Sequence, residues 1–305
     1  MILLFFIQAI LGPIGSIPRL ITLSYATLKS YLPSMSLATF SVLGCVLLLG
    51  FTLKKQRLVD ILGLILTPLL LIALGAILFL GFLSPPAPEI VHKLPSFAFK
   101  EGILVGYNTL DLIASFLFAP LVLSHFRKEE GVSQKQLVRK MLQASVIAAS
   151  LLSAMYVGLT FLASFYISHL PAGHFPEERL GLIAMHLLGE KGAFLACIAI
   201  AMACLTTAIP LLAISADYIK VDLMKGKGGV WIPLLIPLII SGLIANLGFM
   251  GIANLLSPIL QILCPGLIVL SVLNIGYKLY ELKLSKVPVY TAFGISALGY
   301  FLQAI

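Results

Sequence analysis

Nine apolar stretches, parted by short polar loops, constrain this chain more than any single motif does. They fall at about 1–28, 36–53, 60–83, 101–125, 141–168, 193–218, 230–248, 251–276 and 288–305. At ~1.5 Å per residue, about twenty residues cross a hydrocarbon core of ~30 Å. A soluble core does not absorb so much apolar surface: hydrophobic residues make up 60% of the chain, charged residues 10%, and mean hydropathy is +1.09. The sequence therefore predicts an all-α polytopic membrane protein with about nine transmembrane helices.

The charges set its orientation. Of the 20 basic residues, 14 fall in alternate loops. These are Lys54, Lys55 and Arg57; Arg127, Lys128, Lys135, Arg139 and Lys140; Lys220, Lys225 and Lys227; and Lys278, Lys283 and Lys286. The opposite loops hold Lys29, Lys93, Lys100, Arg179 and Lys191, and Arg19 lies inside a span. By the positive-inside rule the richer set is cytoplasmic, so Met1 starts inside, the 101–125 span runs from outside to inside, and Ile305 ends outside. The net charge of +8 is thus explained by topology, and no nucleic-acid partner is implied. The opening MILLFFIQAILG lacks a basic leader and a small-residue cleavage site before Pro13, so it reads as an uncleaved helix; both termini suggest a chain that is part of something longer.

Soluble chemistry finds little support. Cys45, Cys197, Cys204 and Cys264 all sit in apolar spans without metal spacing, which reads as ordinary packing. His92, His169, His174 and His186 belong in or near external loops and His125 at a cytoplasmic helix end, and none pairs with a carboxylate in a metal-like way. There is no Walker glycine loop, no GxSxG and no HExxH, so no cofactor is expected and an enzyme is not indicated.

Three places interrupt the apolar pattern. In the fourth span, GYNTLDL puts Asn108, Thr109 and Asp111 just after Gly106 and Tyr107. A carboxylate at that depth costs at least ~2.5 kcal/mol, and glycine followed by small polar residues is how a membrane helix unwinds to bind ions and zwitterions. The first span carries Pro13, Pro18 and Arg19 in GPIGSIPR, which predicts a kink or unwound segment. Arg19 is read as snorkelling to the interface or pairing with a neighbouring helix, with a gating or substrate role as the alternative. In the sixth span, Thr206 and Thr207 precede Pro210. Such threonines ordinarily bond back to their own helix, but hydroxyls are also the hard oxygens that sodium prefers. Ser257-Pro258 and Cys264-Pro265-Gly266 predict a bend in the eighth span. The segment 84–99 is proline-rich and not helical throughout, 127–140 is a solvated charge run, and 175–190 is amphipathic enough for a short helix at the interface or over a vestibule.

These residues resemble a known family. GYNTLDLIASFLFAPLVLSHFRKEEGVS is similar to the GYxTMDxL segment of the BrnQ-type branched-chain amino acid:cation symporters. ILGPIGSIPRLITLSY resembles that family's GPxxxxPRTATxSF element, and ACLTTAIPLLAISADY its ACLxTAxGL element. Leu20 replaces the usual threonine after Arg19, and Ile21 to Ser24 restore the pattern in part. The resemblance implies a partial five-plus-five inverted-repeat fold of the APC/LeuT-like class. Residues 1–83 are then a remnant of the first repeat, 97–282 the second, and 288–305 an additional C-terminal helix, all within one transmembrane domain. The first span matches the family's third helix, so the first two helices and a C-terminal helix would be lacking, and with them half the substrate site.

The function so implied is uptake of leucine, isoleucine and valine, coupled to Na+ or H+, across the bacterial cytoplasmic (inner) membrane. Gly106, Tyr107, Asn108, Thr109 and Asp111 would form the substrate site, with amides near Leu112 meeting the carboxylate and carbonyls near Gly106 and Tyr107 the ammonium. Thr206 and Thr207 would bind the cation. Leu110, Ile113 and Phe116 are candidates for the side-chain pocket. A transporter or channel for another small solute and a non-functional fragment are the alternatives, and a membrane-embedded enzyme finds no cluster of the groups it would need. Oligomeric state is left open.

Overall fold

The computed structural model describes residues 7–53, 57–83, 85–86, 95–127, 134–166, 169–170, 175–225, 229, 231–280 and 286–304. Expectations for Met1, Lys54, Lys55, His92, Lys93, Lys128, His174, Lys227, Lys283 and Ile305 lie outside the described residues. Among those described there is no strand. The helices are α1 (Ser16–Leu28), α2 (Leu37–Leu53), α3 (Arg57–Leu83), α4 (Pro95–Tyr107), α5 (Asp111–Arg127), α6 (Gln134–Tyr166), α7 (Arg179–Tyr218), α8 (Trp231–Ala245), α9 (Gly248–Tyr280) and α10 (Val287–Ala304). Among the described residues each expected span is mainly helical. Four helical stretches, Ser96–Pro120, Gln136–Tyr166, Pro176–Leu223 and Gly248–Tyr277, are long and apolar enough to cross a membrane. Leu37–Leu53, Pro68–Leu83 and Trp231–Ala245 are shorter apolar helices. Along α6, Leu142 and Ile147 are 65% and 68% exposed, which water would penalise and lipid would not. The protein is an all-α, multi-pass membrane protein.

Two boundaries move. Pro95 opens α4 six residues before the expected start at 101, because proline at the first helical position lacks only an amide that the helix leaves unpaired anyway. Gln134 to Lys140, expected as part of a charge run, form the first two turns of α6.

The chain divides into two compact units, Met1–Val91 with Ala119–Phe249, and His92–Phe118 with Met250–Ile305. In the first, α7 packs mainly against α1 and α3, and α8 against α2 and α7. Buried Ile77, Leu162, Tyr166, Ile183, Ala184, Ala193 and Ala196 form one cluster where α3, α6 and α7 meet. In the second unit, Gly266 of α9 lies directly against the Phe293 ring of α10.

The kink expected in the first span is present. Ile10–Ile14 form a π-type turn, and Gly12 is non-helical at φ −88° and ψ −110°. Neighbouring helices hold this turn through polar side chains. Gln8 donates to Ser215 Oγ of α7 at 3.3 Å. Ser241 of α8 donates to the Pro13 carbonyl at 3.1 Å. Ser215 and Ser241 are 2% and 0% exposed, so each bond exists where water cannot replace it. Gly12 permits the approach, because a Cβ there would collide with Ser215 Oγ. Arg19 finds the neighbour that its charge requires: its guanidinium carbon stands 4.9 Å from the centre of the Phe249 ring.

The short helix expected in 175–190 also forms. A single turn, Pro176–Glu178, leads into α7, and Gly189 interrupts α7 with φ +68° and ψ 176°, which separates the short helix from the span that follows. It is pinned to the end of α1. Lys29 Nζ pairs with Glu178 Oε1 at 2.7 Å, and Tyr31 donates to the Glu190 carbonyl at 3.1 Å. Tyr31 also meets the Phe194 ring edge-on, at 5.0 Å between centroids.

Two outcomes follow from this packing. Gly12→Ala forces a Cβ onto Ser215 Oγ, so it lowers the thermal melting point, by the equivalent of ~1–3 kcal/mol of overpacking. Adding Ser215→Ala recovers part of that loss, because the remaining Cβ contact is 3.3 Å. Hydrogen bonding to Glu178 raises the Lys29 pKa above its ordinary 10.5. The pair's contribution is therefore fully present below 10.5 and is lost as pH rises through the raised value. Lys29 is 43% exposed, so solvent screens the pair and the effect is small. Melting followed across the lysine range shows this loss in the wild type and less of it in Glu178→Gln.

Candidate functional site

In the second unit the fourth span breaks where its polar residues sit. Helix α4 ends at Tyr107 and α5 begins at Asp111, leaving Asn108, Thr109 and Leu110 outside regular helix. Leu110 has φ +70°, a left-handed conformation that costs an L-residue ~1–2 kcal/mol. Glycine would adopt it freely, yet leucine stands here and is 7% exposed, so packing holds a strained backbone in place.

Side chains of the motif supply the hydrogen bonds that the helix gives up. Thr109 sends both its amide, at 3.2 Å, and its hydroxyl, at 2.9 Å, to the Gly106 carbonyl. The Asn108 amide bonds to the Val105 carbonyl at 3.0 Å, and its Nδ2 donates to the Leu104 carbonyl at 3.3 Å. On the other side of the break, Ala114 bonds to the Leu110 carbonyl at 2.9 Å, which starts α5. Asp111 is the first residue of α5, where the unpaired amides of a first turn favour negative charge. The break thus presents the carbonyl end of one half-helix and the amide end of another.

Gly106, Tyr107, Asn108, Thr109 and Asp111 are therefore brought together as one local element. Among the candidate pocket residues, Leu110 and Ile113 are buried and Phe116 is half-buried. Asn108 also reaches α9: its Nδ2 lies 3.3 Å from Ser257 Oγ, and Gln261 Nε2 donates to the same oxygen at 3.0 Å. Ser257 entered the sequence reading only beside a proline, and Gln261 not at all. Their signal was polarity four residues apart on one face of an apolar helix.

Thr206 and Thr207 lie in the first unit, on α7. Both hydroxyls donate to one carbonyl, that of Ala203, each at 2.9 Å. This is the back-bonded geometry usual for membrane threonines. It directs both protons into the helix and leaves the oxygen lone pairs to face outward. Pro210 has no amide, so it removes the helical donor that the Thr206 carbonyl would otherwise have. Helix α7 nonetheless continues through Pro210, and α9 through Pro258 and Pro265.

Residues 1–304 match the model of a family described as branched-chain amino acid transport protein. The chain is 28% identical over 307 residues to the branched-chain amino acid permease BrnQ of Lactobacillus delbrueckii subsp. lactis, covering 97% of this chain and 68% of that protein. It is 27% identical over 317 residues to a protein of Staphylococcus aureus strain USA300 provisionally named a branched-chain amino acid carrier, covering 96% and 70%. No solved structure matches.

Proposed function

The chain belongs to the branched-chain amino acid transport family, and from that premise we propose that it takes up leucine, isoleucine and valine by cation-coupled symport. The cation is Na+ or H+, and the membrane is the bacterial cytoplasmic membrane. The broken helix at 108–110 is the observation that carries this reading. A half-helix pair ending and starting inside an apolar span gives a zwitterion both partners that it needs. Amides in the first turn of α5, near Leu112, suit the carboxylate. The carbonyl end of α4 suits the ammonium, and because Thr109 already occupies the Gly106 carbonyl, that contact passes to Tyr107. Asp111 supplies the negative charge that balances the ammonium or the coupling ion.

Thr206 and Thr207 serve as the cation's oxygen ligands. A hydroxyl whose proton is committed to Ala203 can offer a metal ion only its lone pairs, which is what sodium requires. The carbonyl released by Pro210 adds a further oxygen of the same kind. We read the architecture as part of a five-plus-five inverted repeat, with 1–83 from the first repeat, 97–282 forming the second and 288–305 a further helix.

Labelled-leucine uptake into proteoliposomes tests the reading. We expect uptake driven by a sodium gradient and inhibited by excess valine. Persistence with choline in place of sodium assigns the coupling to protons. Asp111→Asn lowers initial uptake at least ~tenfold, the equivalent of ~1.4 kcal/mol. Thr207→Val raises the sodium concentration needed for half-maximal uptake and leaves a proton-driven rate unchanged. Uptake by the wild type that valine does not inhibit would overturn the substrate assignment.

A further inference from the structure

Ser257 handles its hydrogen bonds differently from the back-bonded hydroxyls of these helices. Ser24, Thr27, Ser215 and Ser271 each donate to a carbonyl one turn back, between 2.7 and 2.8 Å. Among the described residues Ser257 makes no such bond. Its oxygen instead accepts twice, from Asn108 Nδ2 at 3.3 Å and from Gln261 Nε2 at 3.0 Å. The Asn108 amide is oriented by the Leu104 carbonyl, an obligate acceptor 3.3 Å from the same nitrogen. With both lone pairs engaged, the serine oxygen has one thing left to give, its proton.

A group that can only donate selects its partner by sign. It cannot ligate a cation or accept from an ammonium, but it can bond a carboxylate. The first-turn amides of α5, three to five residues along the chain from Asn108, carry the same polarity. We infer that Ser257 is a substrate-binding residue that donates a hydrogen bond to the carboxylate of the amino acid at the helix break. Gln261 and Asn108 are positioning residues that hold its oxygen and turn its proton outward. This rests on the transport reading and extends it to α9, where the sequence pointed only to a proline bend.

Calorimetric titration of the purified full-length chain with leucine and with isoamylamine provides the test. The amine has leucine's side chain and ammonium without the carboxylate. We expect Ser257→Ala to weaken leucine binding about tenfold, the scale of a hydrogen bond to a charged group. Isoamylamine binding stays unchanged, and Ser257→Thr, which keeps the hydroxyl, restores leucine. Equal weakening of leucine and amine would show that Ser257 merely braces the helix and would overturn the assignment, as would unaltered leucine affinity in Ser257→Ala. A wild type that binds isoamylamine as tightly as leucine leaves the carboxylate no role, which sinks the inference. Failure of the wild type to bind leucine at all overturns the transport reading and the assignment with it.

Discussion

Inside a bilayer a backbone amide or carbonyl that leaves its helix has no water to turn to, and the rest of this structure depends on how that demand is met. Each unsatisfied group costs several kcal/mol, so an interruption persists only where side chains take up the freed bonds. The turn at Ile10–Ile14 is held from outside, by Ser241 on α8 and by Gln8 with Ser215 on α7. The break at 108–110 is held mainly from within, by Thr109 and Asn108 capping the carbonyls of α4. Externally clamped turns are rigid in proportion to their neighbours. A self-capped break carries its own bonds, and so can keep its polar groups available to a ligand.

Proline did not mark these sites as reliably as its chemistry suggests. Pro210, Pro258 and Pro265 all sit within continuous helix. Each removes one amide, and in a long packed helix one missing bond is tolerated. The break in the fourth span contains no proline. There, two side chains in sequence compete for the same turn of carbonyls, and Leu110 reverses the chain with a positive φ. Competition for several consecutive bonds ends a helix where the loss of one does not.

Much of the fold was legible because membrane spans announce themselves by length and apolarity, with basic loops giving their order. The break at Asn108 and the short helix before Gly189 were legible on the same grounds, since polar residues stand out against an apolar run and amphipathicity stands out beside one. What could not be read was which partner each polar group finds. Arg19 needed a neighbour, but nothing in its own span identifies Phe249, more than two hundred residues away. Likewise Ser215, Ser241 and Gln261 are single polar residues whose importance comes from what faces them. A helix start was missed where its first turns carry charge, as Lys135, Arg139 and Lys140 do in α6, because charge excludes a residue from the hydrocarbon and not from the helix.

Three hydroxyls of this chain sort by where their protons go, and that sorting separates two kinds of chemistry without reference to any bound ligand. Thr206 and Thr207 commit their protons to Ala203 and are left with lone pairs, the property of a cation ligand. Ser257 commits its lone pairs to two amides and is left with a proton, the property of an anion donor. The cation-coupled transport proposed above would use both, kept apart in kind so that the cation is not drawn to the carboxylate's donor. On that reading, side-chain amides set the polarity at Ser257, and one backbone carbonyl of α7 sets the reverse at the threonines. The same hydroxyl group can thus suit opposite charges, and the hydrogen bond it has already made determines which.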